Sequence, residues 1–179
     1  MILDLIFPIQ CLGCKKYGEW LCDDCLNNIY DSSYQNQLLK KAIHTFKYKF
    51  VKDLARPLAK LLLKKIDFDY DFIVPVPLHS RRLRWRGFNQ AELLAKEIDK
   101  NKVLSALIKI KNTKPQVQFS EKQREQNITN AFKCVCDLTN KKVLLIDDVE
   151  TTGSTLRECE KALLQAGAKQ VYCLTLAKT

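Results

Sequence analysis

The chain has 179 residues, enough for one domain of ordinary size together with a small module. Hydrophobic residues are 46% and charged residues 28% of the total, a composition that excludes disordered and fibrous proteins. The formal net charge of +10 favours a polyanionic partner.

The segment Met1 to Phe7 is apolar, but it is short and lacks the basic residues that open a signal peptide. No stretch of the sequence approaches the ~18–20 consecutive apolar residues of a membrane span. We therefore expect a cytoplasmic protein with no membrane span.

Four of the eight cysteines lie near the start of the sequence as two CxxC pairs. These are Cys11, Cys14, Cys22 and Cys25. Each pair can place two thiolates on one tight turn, and two such turns complete the tetrahedral four-sulfur site typical of structural zinc. Two redox pairs or disulfides are the alternative, which is less common in cytoplasmic proteins. We expect a zinc module over residues 1–33 and a second domain over residues 34–179.

Beyond this module, helix-like and strand-like hydrophobic patterns alternate along the chain. Helices are predicted at 38–46, at 54–63 with Asp53 as a cap, at 88–98, and at 156–166 with Gly167 at its end; strands are predicted at 72–77, 104–110, 143–146 and 171–176. The polar, aperiodic segment Lys111 to Asn130 predicts a long loop of the kind that often closes over an active site. The alternation predicts an α/β fold with a parallel sheet flanked by helices.

Basic residues are concentrated in three segments, around residues 40–65, 81–86 and 109–124. The lysine-rich first segment fits a solvated surface as well as a binding surface. The second segment holds Arg81, Arg82, Arg84 and Arg86. Guanidinium groups suit phosphate oxygens. Aromatic residues among the basic ones are compatible either with base stacking on single-stranded DNA or with burial in the core; these are Trp85, Phe88, Phe46 and Tyr48.

The strongest chemical signal follows the apolar run Val143 to Ile146, which a parallel sheet buries on both faces. Asp147 and Asp148 come directly after it, and two carboxylates can accept hydrogen bonds from a vicinal diol or bind hydrated Mg²⁺. Thr151 to Thr155 then place hydroxyl groups and a glycine at a helix N-terminus, which suits one phosphate group. A diol beside a phosphate describes a ribose 5-phosphate, whereas an ordinary helix cap accounts for Ser154 alone.

The stretch Val143 to Thr155 resembles the fingerprint of type I phosphoribosyltransferases over its whole length. The remainder resembles one branch of these proteins, the ComF (ComFC-like) proteins of bacterial competence. This second resemblance rests on the four-cysteine motif and on Val74-Pro75-Val76-Pro77-Leu78-His79, Arg81, Arg86-Gly87-Phe88-Asn89-Gln90, Leu94-Ala95, Thr113, Gln116, Arg124, Asn127 and Ala131-Phe132. It implies a type I phosphoribosyltransferase-like parallel sheet flanked by helices, with a small N-terminal four-cysteine zinc-binding module.

The resemblance also implies roles for individual residues. The ribose and 5-phosphate of phosphoribosyl pyrophosphate would bind Asp147, Asp148, Val149, Glu150, Thr151, Thr152, Gly153, Ser154 and Thr155. The pyrophosphate loop would contain Pro77, Leu78, His79, Arg81 and Arg82, and the flexible loop would contribute Lys111 and Arg124. The catalytic candidates are Asp147, Asp148 and Glu150. Mg²⁺ would accompany phosphoribosyl pyrophosphate, and Zn²⁺ would have a structural role on the four cysteines.

One position departs from the purine phosphoribosyltransferases, which usually carry an acidic residue directly before the Thr-Gly of the fingerprint. Thr151 stands there in this chain and cannot act as a general base near neutral pH. The resemblance implies a protein of DNA uptake in natural transformation that binds phosphoribosyl pyrophosphate, contacts single-stranded DNA and works with DNA-transport or competence proteins. The alternatives are an active phosphoribosyltransferase on an unidentified acceptor base and a non-catalytic sensor of phosphoribosyl pyrophosphate.

Overall fold

A computed structural model of the chain describes residues 8–29, 36–111 and 128–178. Some predictions fall outside these ranges. They are the flexible-loop residue Arg124, the motif residues Thr113, Gln116 and Asn127, most of the loop predicted at 111–130, and the domain boundary between residues 33 and 34.

Helices and strands alternate through the larger part of the described chain. The helices are α1 (Asp23–Asn27), α2 (Gln37–Tyr48), α3 (Ala55–Leu63), α4 (Ser80–Arg86), α5 (Gln90–Asp99) and α6 (Ser154–Gln165), with a 3-10 turn at Lys52–Leu54. The strands are β1 (Phe72–Pro75), β2 (Leu107–Lys109), β3 (Phe132–Cys134), β4 (Lys142–Glu150) and β5 (Gln170–Lys178). Within the described ranges, no helix is both long enough and apolar enough to cross a membrane.

The main sheet is parallel and consists of β1, β4 and β5, with β4 in the centre. An extended segment continues it beyond β1. There the Leu104 N–H donates to the Ile73 carbonyl and the Ile73 N–H donates to the Lys102 carbonyl, each over 2.8 Å. β2 and β3 form a separate antiparallel pair. The parallel sheet flanked by helices confirms the predicted α/β class.

The strand β4 is buried on both faces, which explains its continuous apolar run. Leu144 and Ile146 join a hydrophobic cluster formed mainly by α2, α3 and α5. Val143 and Leu145 join the opposite cluster, which includes residues of α6, β2 and β3. Successive strand residues point to opposite faces of a sheet, so a strand covered on both sides needs apolar side chains at every position. All four residues are 0% exposed.

Several local predictions are wrong or incomplete. The helices α1 and α4 and the strand β3 were not predicted. Ser80–Arg86 is helical where a pyrophosphate loop was expected, because His79 caps the segment and Gly87, with a φ of 77°, ends it. The strand predicted at 104–110 is regular only over Leu107–Lys109. Asp53 lies inside the 3-10 turn, and no side chain caps α3.

The predicted end of α6 is confirmed. Gly167 follows the helix with a φ of 91°, in the left-handed region that favours glycine. A Cβ at this position would lie 2.8 Å from the Thr139 Oγ1 atom, so the close approach of another segment also requires glycine.

Candidate functional site

A cleft of about 790 Å³ opens where β1 and β4 end. Parallel sheets place their ligands at this carboxyl edge, because the loops that follow neighbouring strands meet there. The predicted site residues that line the cleft are Pro77, Leu78, Arg81, Arg82, Asp147, Asp148, Val149, Glu150, Thr151, Gly153, Ser154 and Thr155. The fold therefore brings together the two motifs that the sequence placed after separate strands.

Asp147 and Asp148 form the acidic floor of the cleft at the end of β4. The Asp148 backbone N–H donates to the Asp147 carboxylate over 2.8 Å, which fixes the orientation of that carboxylate. Burial of the Asp147 carboxyl, together with the neighbouring Asp148 carboxylate, raises the pKa of Asp147 to about 7. Asp147 thus exchanges its proton near neutral pH, where an ordinary aspartate is fully ionised.

Lys47, in the last turn of α2, is the ion-pair partner of Asp148. The Lys47 Nζ atom lies 2.8 Å from an Asp148 carboxylate oxygen, and the two side chains are only 19% and 12% exposed. Burial opposes the charge on Lys47, but the Asp148 carboxylate outweighs it and raises the pKa of Lys47. This contact could not be predicted from the sequence, because Lys47 is one of many lysines in its segment and lies far from Asp148 in the chain.

The start of α6 forms a second wall of the cleft. Gly153 has a φ of 72° and is the N-cap of α6, a 12-residue helix. The buried Ser154 hydroxyl contacts the Thr152 hydroxyl. Arg157 donates from Nη1 to the Thr152 carbonyl over 3.0 Å, which holds the turn from the other side. The first backbone N–H groups of a helix have no partner within the helix. Together with these hydroxyl groups, they suit a bound phosphate.

The segment after β1 supplies a basic wall. Arg81 and Arg82 lie in the first turn of α4 and line the cleft. Asn89 ties this wall to the strand, because its Nδ2 atom donates to the Val76 carbonyl over 3.0 Å. His79 is not among the residues that line the cleft; its Nδ1 atom accepts a hydrogen bond from the Arg81 N–H over 3.3 Å and caps α4.

The half-buried Arg86 and the buried Gln90 form a polar pair on the same wall. Arg86 donates from Nη1 to the Gln90 side-chain oxygen over 2.8 Å. Within the described residues, the Arg86 Nε and Gln90 Nε2 atoms are buried without a hydrogen-bond partner. Burial lowers the pKa of Arg86, although the Asp148 carboxylate acts in the opposite direction. Both residues belong to the Arg-Gly-Phe-Asn-Gln motif, in which residue type alone indicates no individual role for either.

Lys109, at the end of β2, adds a further cation to the cleft. Burial first, and the neighbouring Arg82 guanidinium second, lower the pKa of Lys109 to about 8. Lys111 does not line the cleft; its Nζ atom donates to the Thr129 carbonyl over 2.7 Å at the surface. Among the described residues of this part of the chain, Lys109 therefore lines the cleft and Lys111 does not.

Glu150 lines the cleft, but its carboxylate is also bound from the side of β5. The Lys178 Nζ atom lies 3.1 Å from the Glu150 Oε1 atom. The Glu150 side chain is 23% exposed and Lys178 is 72% exposed, so water screens this pair. The carboxylate closest in sequence to Thr151 is therefore directed partly toward the neighbouring strand.

The four N-terminal cysteines converge on one point. Their sulfur atoms all lie within 4.8 Å of one another, and Cys22 Sγ is 3.7 Å from Cys11 Sγ and 3.6 Å from Cys14 Sγ. Tetrahedral zinc with Zn–S bonds of about 2.3 Å holds its sulfur ligands about 3.8 Å apart. All four cysteines are free thiols. The donor set and its spacing therefore fit a metal ion.

Burial and hydrogen bonding move the thiol pKa values within the cluster in opposite directions. Burial alone would raise the pKa of the Cys11 thiol, but hydrogen bonds from backbone amides, Cys22 first, lower it to about 6. Burial and the neighbouring sulfur atoms raise the pKa of the Cys25 thiol to about 12. Four neighbouring thiols cannot all lose their protons unless a cation compensates their charge.

The sequence matches the family described as phosphoribosyl transferase domain over residues 49–179. It is 33% identical over 154 residues to the DNA utilization protein YhgH of Salmonella typhi, covering 76% of this chain and 66% of that protein. This chain thus spans just under two thirds of that relative's length.

A second relative covers nearly the whole chain. The competence protein ComFC of Bacillus subtilis is 30% identical over 184 residues, covering 94% of this chain and 72% of that protein. Among solved structures, the allosteric regulatory enzyme of purine biosynthesis is 24% identical with a TM-score of 0.47, covering 68% of this chain and 25% of that one. The sequence matches confirm the predicted resemblance, and the chain belongs to the phosphoribosyl transferase domain family, as a ComFC-like member of it.

Proposed function

We propose that this chain is a ComF-type protein of natural transformation that binds phosphoribosyl pyrophosphate with Mg²⁺ in the cleft at the end of β4. One observation carries the proposal. An acidic pair and a phosphate-sized helix start face a wall of arginine and lysine across a single cleft of about 790 Å³. A ribose diol, a 5-phosphate and a pyrophosphate need these three environments in one place.

The sugar end of the ligand lies on the β4 side of the cleft. Asp147 and Asp148 accept hydrogen bonds from the two ribose hydroxyls, and the hydrogen bond from the Asp148 N–H keeps the Asp147 carboxylate in position. The 5-phosphate binds Thr151 to Thr155 through backbone N–H groups and hydroxyls at the start of α6. The buried Ser154 and the left-handed Gly153 support this, since they hold the turn tightly against the helix.

The pyrophosphate end lies against Arg81, Arg82 and Lys109. Lys109, with a pKa of about 8, carries its charge at neutral pH, and a bound anion raises its pKa further. The carboxylate oxygens of Asp147 and Asp148 are hard ligands of the kind Mg²⁺ prefers, and they leave room for water and ligand oxygens. Bound Mg²⁺ would supply neutralisation of the pyrophosphate charge.

The surroundings of the ribose favour binding over transfer to a base. Thr151 cannot accept a proton from a base near neutral pH, and Glu150 lies 3.1 Å from the Lys178 ammonium. Neither residue supplies an unpaired carboxylate beside the fingerprint. The same site would act as a phosphoribosyltransferase on an acceptor base that loses its proton without a general base from the protein. Release of pyrophosphate is therefore the measurement that separates binding from transfer.

The role in DNA handling is proposed from the relatives and from charge. One relative is named for DNA utilization and another for competence. The net charge of +10 suits a polyanion such as single-stranded DNA, and DNA-transport or competence proteins are the expected protein partners, in the cytoplasm. The four cysteines would hold a structural Zn²⁺, because no ligand position remains open on a four-thiolate site.

The test is calorimetric titration of the zinc-loaded protein with phosphoribosyl pyrophosphate, with and without Mg²⁺. We expect Mg²⁺-assisted binding that the double variant Asp147→Asn, Asp148→Asn abolishes. Asparagine keeps the side-chain shape while removing both charges. Asp137→Asn is the matched control, because Asp137 is exposed and accepts hydrogen bonds from the Thr139 N–H and hydroxyl outside the cleft.

Unchanged ligand affinity in the Asp147, Asp148 double variant would contradict the site. No binding to the parent protein in either condition would reject the phosphoribosyl pyrophosphate proposal as a whole and leave only the fold. Pyrophosphate release in the presence of a base would show turnover and replace the binding role with the transferase.

A further inference from the structure

Three large aromatic side chains are exposed together on one side of the cleft. Tyr48 is 51% exposed, Phe50 is 41% exposed and Trp85 is 66% exposed. The Phe50 and Trp85 rings meet edge to face with their centroids 5.7 Å apart. We refer to Tyr48, Phe50 and Trp85 as the aromatic rim. Exposed apolar groups that lie together in a patch indicate an interaction surface.

The backbone at Phe50 is unusual for an aromatic residue. Phe50 has a φ of 57°, in the left-handed region that glycine occupies at no steric cost. The same backbone position directs the ring onto Trp85 and onto Phe88, whose centroid lies 6.4 Å away. Glycine would form this turn without backbone strain. The strain at Phe50 therefore indicates that the aromatic ring has a function.

Cations surround the aromatic rim. Arg81 and Arg82 precede Trp85 by four and three positions in α4, so all three side chains share one face of the helix. The Arg86 guanidinium lies 5.8 Å from the ring centres of both Tyr48 and Trp85. Exposed rings interleaved with cations are the combination that binds single-stranded nucleic acid, since rings stack on bases while cations neutralise phosphates.

We propose that the aromatic rim is the surface on which this protein binds single-stranded DNA, with bases stacked on Trp85, Phe50 and Tyr48. This rests on the proposed DNA role and specifies where that role is carried out. The structure also separates the aromatic residues that the sequence could not distinguish. Phe46 and Phe88 are buried and support the rim from below, with ring centroids 5.9 Å apart.

A single strand fits this surface better than a duplex does. In a duplex the bases are stacked on one another and only their edges are accessible, so exposed aromatic rings have no base faces to meet. In a single strand every base has an accessible face, and stacking is tolerant of sequence. Duplex DNA is therefore expected to bind the rim more weakly than a single strand of the same length.

The rim also adjoins the proposed phosphoribosyl pyrophosphate cleft. Tyr48 and Trp85 belong to the lining of the cleft, whereas Phe50 and Lys52 do not. Lys52 lies on the far side, with its Nζ atom 5.3 Å from the Phe88 ring centre. A strand bound across the rim thus passes the mouth of the cleft, and Phe50 is the position where DNA binding can be changed without touching the cleft.

The experiment measures the binding of a fluorescently labelled oligothymidylate by anisotropy at several salt concentrations. The variants are Phe50→Gly and Trp85→Ala. Glycine at position 50 removes the ring and also relieves the left-handed backbone, so this variant keeps the fold. Tyr17→Ala is the matched control, because Tyr17 is an aromatic residue of the cysteine segment that is 66% exposed, as Trp85 is.

We expect each rim variant to weaken DNA binding at least about five-fold, as base stacking on an aromatic ring contributes at least this much. Tyr17→Ala keeps the parent affinity. Phe50→Gly keeps the parent affinity for phosphoribosyl pyrophosphate. In a Trp20→Phe background Trp85 is the remaining tryptophan of the chain, and the oligonucleotide should quench its fluorescence. Thermal melting confirms that each variant is folded.

The outcomes separate the inference from the function on which it rests. Parent-like DNA affinity in folded Phe50→Gly and Trp85→Ala proteins would overturn the rim while leaving a DNA role elsewhere on the surface. Absence of DNA binding by the parent protein at about 50 mM salt, where phosphate contacts are strongest, would reject the DNA role together with the rim. Equal affinity for a duplex and a single strand would also overturn base stacking as the mode of binding.

Discussion

The cysteine cluster and the cleft are both candidate binding sites, but they are built in opposite ways. The cluster takes its four ligand atoms from one short segment, Cys11 to Cys25, and their sulfur atoms lie within 4.8 Å of one another. The cleft takes its lining from segments spread between Lys47 and Leu156. A local site forms once two turns are made, whereas a non-local site exists only after the sheet and its helices have packed.

This difference sets what each site contributes to the fold. The cysteine segment packs its buried Leu21 and Leu26 into the same hydrophobic cluster as Leu39 and Leu58, so its order is coupled to α2 and α3. A metal there stabilises structure directly. The cleft brings together charged groups that are unfavourable to bury, above all Asp147, Asp148 and Lys47. These groups lower the free energy of unfolding but are available to bind a ligand.

Removing the proposed metal ion should have the largest effect on stability. A strong zinc chelator, or Cys22→Ser, is expected to lower the free energy of unfolding by at least about 4 kcal/mol, because zinc contributes roughly 10–16 kcal/mol in isolated fingers. Limited proteolysis should then cut within residues 8–29. Cys136→Ser is the control, since Cys136 lies outside the cluster. Equal proteolysis rates with and without chelator would show that the cluster is not structural.

The second prediction concerns the ion pair in the cleft. Asp148→Asn leaves the largely buried Lys47 ammonium without its partner and is expected to cost about 2–3 kcal/mol in urea unfolding. Adding Lys47→Met to that variant should restore most of the loss, because the buried charge is then gone. In contrast, Asp23→Asn should cause no measurable change, since the Lys60–Asp23 pair is exposed.

If Asp148→Asn were as stable as the parent protein, the Lys47 ammonium would have to bind water or another partner. Burying a charge in the cleft would then cost no more folding free energy than placing it at the surface. That result would remove the contrast between the two sites.

The third prediction compares a glycine from each site. Gly13→Ala places a Cβ 2.7 Å from the Cys25 sulfur and is expected to weaken zinc binding by about ten-fold, because the ligand must shift. Gly153→Ala forces alanine to a φ of 72° and should cost about 1–2 kcal/mol of folding stability. Gly87 has a φ of 77°, and no atom of the described residues lies within 4 Å of an added Cβ, so Gly87→Ala measures the backbone strain alone.

Zinc competition and thermal melting provide these measurements. A Gly13→Ala protein with parent zinc affinity would mean that the first turn is looser than its geometry indicates.

The last prediction concerns the pH dependence of stability. Because the pKa of Asp147 is raised to about 7, the folded state binds more protons than the unfolded state between about pH 4 and 7. The stability that this proton contributes is complete below about pH 4 and is lost as the pH rises through 7. Asparagine does not titrate, so Asp147→Asn should gain stability relative to the parent by about 1 kcal/mol for each pH unit between about pH 5 and 7.

Urea titrations across this range test the sign. A stability difference between the parent and Asp147→Asn that stays constant with pH would show that Asp147 is ionised throughout, as an ordinary surface aspartate is.

Much of the fold could be predicted from the sequence because its signals are local. The apolar run at Val143 to Ile146, the helical spacing of α2 and α6, and Gly167 at a helix end each depend on neighbours within a few positions. The four-cysteine site belongs to the same class. Short helices and strands were missed, since α1 and β3 carry too few residues to show a period.

Some features of the candidate sites could be predicted from the sequence, and others are seen only in the tertiary structure. The sequence by itself determined the acidic pair Asp147 and Asp148, the phosphate-sized turn at Thr151 to Thr155 and the zinc-type spacing of the cysteines, because in each the chemistry is carried by adjacent residues. Only the tertiary structure decided that Lys47 and Lys109 enter the cleft and that His79 caps a helix. It also decided that Phe50 and Trp85 are exposed while Phe46 and Phe88 are buried. The reason is that burial and charge pairing depend on which distant segments pack together, and residue type alone does not specify that.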